Sequence, residues 1–103
     1  VSQHEFDLLD SDGYPTEDAL GMIENYDVFS HKQEFIDYLE SIWTYKHLFN
    51  YDGRKLKVST GGWSGNEDII EKMRGHTMFW MFAWEESRRG GHYIFDMTRI
   101  KER

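Results

Sequence analysis

The chain has 103 residues, no cysteine, a single proline and a formal net charge of −7. That length suits one domain able to bury roughly 65% of its extended-chain surface, and the missing thiols exclude both a disulfide frame and a thiolate metal site. The charge is divided: residues 1–53 hold 12 Asp/Glu against Lys32 and Lys46, whereas residues 54–103 hold 7 Asp/Glu against 10 Lys/Arg.

In chain order, Phe6-Asp7-Leu8-Leu9 is a short apolar stretch suited to docking across a helix or adding an edge strand. Asp10-Ser11-Asp12-Gly13-Tyr14-Pro15 reads as a turn. Thr16 is placed to cap a helix with Glu17 and Asp18 in its first turn, where the helix dipole favours acids. Leu20, Ile23 and Tyr26 give that helix its apolar stripe. Ser30 and Gln33 have capping-box spacing for a second helix, whose stripe Phe35, Ile36, Leu39, Ile42 and Trp43 runs to about Tyr45. Phe35 and Trp43 share one face and should both be buried. Asp37 and Glu40 lie off the stripe, so the acidic character falls on solvent-facing sides.

After the Asp52-Gly53 turn signal the period changes to two. Leu56, Val58 and Thr60 alternate with Lys55, Lys57 and Ser59, as in a half-exposed strand. Ser64 and Glu67 offer another capping box, and Ile69, Ile70 and Met73 form the buried side of a helix ending at Gly75. Thr77 to Trp84 is apolar on both parities, which predicts a strand covered on both faces. Arg88-Arg89-Gly90-Gly91 then turns into a final strand with Tyr93, Phe95 and Met97 on one side. A two-residue Arg89-Gly90 turn sets Trp84 opposite Phe95, Phe82 opposite Met97 and Glu86 opposite Tyr93, favoured by aromatic cross-strand pairing. A three-residue Arg89-Gly90-Gly91 turn, which suits left-handed glycine, sets Trp84 opposite Asp96 instead. Arg99 to Arg103 is a charged tail.

Residue chemistry is sparse. Gly61-Gly62-Trp63-Ser64-Gly65-Asn66-Glu67 feeds a helix N-terminus, but acids already occupy its first turn and no Lys follows Gly65 as a phosphate loop requires. The five histidines are scattered, with no His-Glu-x-x-His, so neither metal nor cofactor is expected. Asp10 and Asp12 fail as a calcium loop, since Leu8 and Ala19 would occupy ligand positions. Glu86 with His92 is the cluster to consider for hydrolase-like acid–base work. Lys55, Lys57, Arg88 and Arg89 form the basic set for a nucleic-acid alternative, which the net charge opposes.

The strings Thr60 to Glu67, Phe79-Trp80-Met81-Phe82-Ala83-Trp84 and Arg89-Gly90-Gly91-His92-Tyr93 resemble small uncharacterised open reading frames of bacteriophages and prophages, over about the last 45 residues. The resemblance implies a viral accessory origin and brings no catalytic residues with it.

The expected architecture is α+β: two N-terminal helices and a right-handed crossover helix packed with a three-stranded mixed sheet. The expected function is a non-enzymatic phage-type accessory protein acting through protein contacts. Its interaction residues would be Trp63, Ser64, Asn66, Phe79 and Met81, and its acidic helices would steer a basic partner. The strip of Phe79, Met81 and Ala83, if not covered by the N-terminal segment, would be the docking surface of a homodimer or partner. No apolar run reaches the roughly 18 residues of a membrane span. Val1-Ser2-Gln3-His4-Glu5 has neither the basic nor the apolar part of a signal peptide, so the expected location is the cytoplasm, of the host if the chain is phage-derived.

Overall fold

The computed structural model describes residues 8–101, so Phe6, Asp7 and the first five residues lie outside it, as do the last two of the charged tail. Thr16 opens the first helix, α1 (Glu17–Asn25), by accepting the Ala19 N–H on its Oγ1 at 3.2 Å. The second, α2 (Lys32–Ile42), starts later than its capping signal because the Ser30 N–H folds back onto Asp27 and His31 takes the cap position. The helices are tied where the Tyr38 hydroxyl donates to the Ala19 carbonyl at 2.7 Å. Phe35 and Trp43 are only 0% and 2% exposed, as their shared face requires. Trp43 also ends α2, and its indole N–H donates to the Ser59 carbonyl, which fastens the helix to the sheet.

The sheet corrects the expected architecture. Among the described residues it has four strands, β1 (Phe49–Tyr51), β2 (Lys55–Ser59), β3 (Trp84–Arg88) and β4 (His92–Asp96), in the order β1-β2-β4-β3. Every strand pairing among the described residues is antiparallel, so the expected crossover between parallel strands is replaced by antiparallel neighbours. Four α-helices accompany it among the described residues where three were expected, since α3 (Ser64–Gly75) is followed by α4 (Thr77–Ala83). The segment read as a buried strand is therefore a helix. Physically, an apolar run of this length suits either state, and only Thr77 in it is β-branched, whereas Met and Ala favour the helix. His76 decides the matter locally. Its Nδ1 accepts the Phe79 N–H at 3.2 Å, capping α4, while its Nε2 faces the Tyr26 carbonyl at 2.7 Å. Only the tautomer with its proton on Nε2 satisfies both contacts.

The hairpin turn is also corrected. Arg88 pairs with His92, which leaves the three residues Arg89-Gly90-Gly91 in the turn, with Gly90 and Gly91 both at positive φ. Glu86 then faces Ile94 rather than Tyr93, and a bulge between Trp84 and Glu86 restores Trp84 opposite Phe95. Phe82 lies in α4 and has no cross-strand partner. Gly91 is required twice over. Its φ is +80°, and a Cβ there would sit 2.3 Å from Thr60 Oγ1, while Thr60 N–H donates to the Gly91 carbonyl. That contact between distant segments fixes the turn length.

Opposed strand residues share a face of the sheet. Phe49, Leu56, Val58 and Phe95 point into the core beneath α2, α3 and α4, where Phe79 packs edge-on to Phe35 and against Phe95. Asn50, Lys57 and Ile94 lie in one row on the opposite, open face, with Ser59, His92 and Arg88 in the next. The result is an α+β globule whose sheet is covered on one side.

Candidate functional site

Two surfaces are candidates, and the sequence-predicted residues divide between them and the interior. On α4, Phe79 and Ala83 are four residues apart and face inward with no exposure. At 100° per residue, Met78, Met81, Phe82 and the following Trp84 cover the outward arc. Met81 is 64% exposed, Met78 48%, Phe82 41% and Trp84 39%, values that place four large apolar side chains in water on one short segment. Phe29 extends the surface, its ring edge-on to Phe82 at 5.8 Å. Trp84 closes the other end, stacked on Trp80 at 6.3 Å, with the Arg74 guanidinium 5.0 Å from the Trp80 ring. Thus Met81 lies at the centre of the exposed arc, whereas Phe79 is core.

The glycine-rich loop is stapled down. Trp63 is half-buried, its ring 4.4 Å from that of Tyr14, and Ser64 Oγ donates to the Tyr14 hydroxyl. A Cβ on Gly65 would lie 2.5 Å from the Trp63 indole nitrogen, so the close packing needs glycine there. Asn66 is wholly buried. Its Oδ1 accepts the Thr44 N–H at 2.9 Å, and its Nδ2 donates to the carbonyls of Thr44 and Thr60. It joins the end of α2 to the end of β2 through a satisfied polar node. The sequence signal, a helix N-terminal Asn after two glycines, carried no mark of these long-range partners.

The basic set is gathered on the open face more closely than sequence spacing indicates. Lys55 Nζ lies 3.0 Å from Glu85, whose position at the bulge turns it towards that lysine. Arg88 is paired with Glu86, and that hydrogen bond holds the Glu86 carboxyl below its usual range. Arg89 is exposed in the turn. Lys57 makes no ion pair among the described residues, although its charge contributes to the lowered pKa of Asp52 after the backbone N–H groups of Lys55 and Arg54. His92 Nδ1 lies 2.6 Å from Ser59 Oγ, so the contact of His92 is to Ser59 and that of Glu86 is to Arg88. Leu48, Asn50, Lys57, Ser59, Arg88 and His92, among others, line an open hollow of about 320 Å³ on this face. Sequence reasoning missed Ser59, Asn50 and Ile94 because the hollow exists only after β1, β2, β4 and β3 align.

Among the described residues, no group of three or more His, Asp or Glu could hold a metal ion, and no helix is long and apolar enough to cross a membrane. Comparison of the chain with protein-family models, with curated proteins and with solved structures gives no match.

Proposed function

We propose that this chain is a non-enzymatic accessory protein that works by docking a basic amphipathic segment of a protein partner on the outward side of α4. The carrying observation is the arc of Met78, Met81, Phe82 and Trp84, large apolar side chains that the seven-residue α4 and the residue after it expose on one side. Methionine supports this role, since its flexible thioether adapts to varied apolar surfaces. The charge supports the choice of partner. Glu17, Asp18 and Glu24 on α1 and Glu34, Asp37 and Glu40 on α2 are all exposed, in a chain of net charge −7. Such a field steers cationic partners and repels anionic ones. The phage-type assignment rests on the C-terminal strings that resemble phage reading frames.

Tryptophan fluorescence tests the proposal, with Trp84 as reporter. A helical peptide of Leu and Lys should give a saturable change that weakens with salt, and its Leu/Glu counterpart should give none. Met81→Lys, on a 64% exposed position, should weaken the Leu/Lys peptide at least about tenfold. Equal response to both peptides, or indifference to Met81→Lys, would defeat the reading. A doubling of mass by light scattering, abolished by Met81→Lys, would reassign the surface to a second copy of the chain.

A further inference from the structure

The open face of the sheet carries a different chemistry from α4. The hollow there is lined by two cations and a histidine, Lys57, Arg88 and His92, and by no carboxylate. They come from three adjacent strands, β2, β3 and β4, with Arg88 directly opposite His92, and His92 directly opposite Ser59. Polar side chains from three strands therefore line the hollow from two neighbouring cross-strand rows. That arrangement suits the terminal oxygens of a tetrahedral oxyanion better than a planar carboxylate, which an arginine alone would grip in two-pronged fashion. Ser59 completes the set. When its hydroxyl donates to His92 Nδ1, the other ring nitrogen keeps its proton and is a donor. That nitrogen lies beside Gly90, where a Cβ would come within 3.2 Å of Nε2, so glycine keeps the ring edge free of a side chain from the turn. Leu48 and Ile94 supply an apolar wall beside these donors, and about 320 Å³ is room for a small organic anion and not for a polymer.

We propose that this hollow binds a phosphate monoester of a compact, apolar or aromatic alcohol. The phosphate would sit among Lys57, Arg88 and His92, and the carbon skeleton against Leu48 and Ile94. Lys57 makes no ion pair among the described residues, although its charge is felt by Asp52, whereas Arg88 is shared with Glu86 through an ion pair. Glu86 is therefore an internal rival of the ligand. Lys55 is held by Glu85 and stands outside the hollow. A long polyanion would gain little here, because the exposed acids of α1 and α2 oppose it at distance.

Titration of the whole chain, followed through amide and side-chain resonances, tests the proposal with phenyl phosphate, inorganic phosphate and a random-sequence duplex as probes. Phenyl phosphate should give saturable shifts at Lys57, Ser59 and His92, inorganic phosphate the same shifts with weaker affinity, and the duplex none at moderate salt. Lys57→Gln should weaken phenyl phosphate by about tenfold, the scale of one charge-assisted hydrogen bond. Glu86→Gln should act in the opposite direction and tighten it by about threefold by freeing Arg88. Both positions lie at the surface of the sheet, and the unperturbed amide spectrum serves as the folding control. No saturation with either phosphate, a preference for the duplex, or a failure of Glu86→Gln to tighten binding would each overturn the proposal.

Discussion

The outward side of α4 and the open face of the sheet are both exposed, and they are built in opposite ways. The sheet face follows the ordinary rule for an antiparallel sheet covered on one side, with Lys57, Ser59, His92 and Arg88 outward and Leu56, Val58 and Phe95 inward. The helix breaks the corresponding rule, putting Met78, Met81 and Phe82 in water opposite Phe79 and Ala83. Burial explains one side of each element. It explains the polar outer side of the sheet as solvation, whereas on the outer side of α4 Phe82 and Trp84 are partly held by Phe29 and Trp80 and Met81 is left 64% exposed. That difference is why the two surfaces are assigned different ligands, one a cationic amphipathic segment and one a small organic anion.

The sharpest way to break the contrast is to truncate both sides of α4. Phe79→Ala, in the core, should cost about 4 kcal/mol in denaturant unfolding. Met81→Ala, two residues on, should stay within about 0.5 kcal/mol. Comparable losses would show that Met81 is held by packing and would remove the basis for a docking surface. A smaller effect should follow from His76→Ala. Losing both the acceptor for the Phe79 N–H and the donor to the Tyr26 carbonyl should cost about 2 kcal/mol, read as lower stability and faster amide exchange in α4. An unchanged exchange rate would mean that the cap does not set the helix.

The sheet face offers the smallest effect, and it appears only in acid. Thr98 donates to the Asp96 carboxylate through its hydroxyl and backbone N–H, and with Arg99 and Lys55 nearby the Asp96 pKa is lowered from 3.8. The unfolded chain therefore binds this proton at higher pH than the folded one. The stabilisation is present above pH 3.8 and is lost as pH falls through the lower folded value. Melting curves of wild type should accordingly fall more steeply below about pH 4 than those of Asp96→Asn. Parallel curves would show that the contact contributes nothing measurable.

Much of the fold was legible wherever one face of an element is polar. Thr16 and the stripe of Leu20, Ile23 and Tyr26 mark α1, and the alternation from Lys55 to Ser59 marks β2, because solvent on one side imposes a period. From Thr77 to Trp84 that contrast vanishes. An apolar outer face erases the helical period, so the feature proposed as functional is also what disguised α4 as a strand. The hairpin register was not legible either, because it depends on the close approach of Gly91 to Thr60. At Asn66 the partners are Thr44 and Thr60, brought there by the end of α2 and the end of β2. Of the expected interaction residues, the solvent-facing Ser64 and Met81 and the half-buried Trp63 remain at the surface, while Asn66 and Phe79 serve the interior.

The central claim is that the apolar side of α4 is a docking surface for a cationic amphipathic segment. Mapping amide and indole shifts of the whole chain on addition of a Leu/Lys helical peptide tests it most directly. The account predicts saturable shifts from Met78 to Trp84, with the Trp84 indole and Phe29 among them, and none at Lys57, Ser59 or His92. Shifts confined to the exposed acids of α1 and α2, or no shift in α4 at saturating peptide, would contradict it.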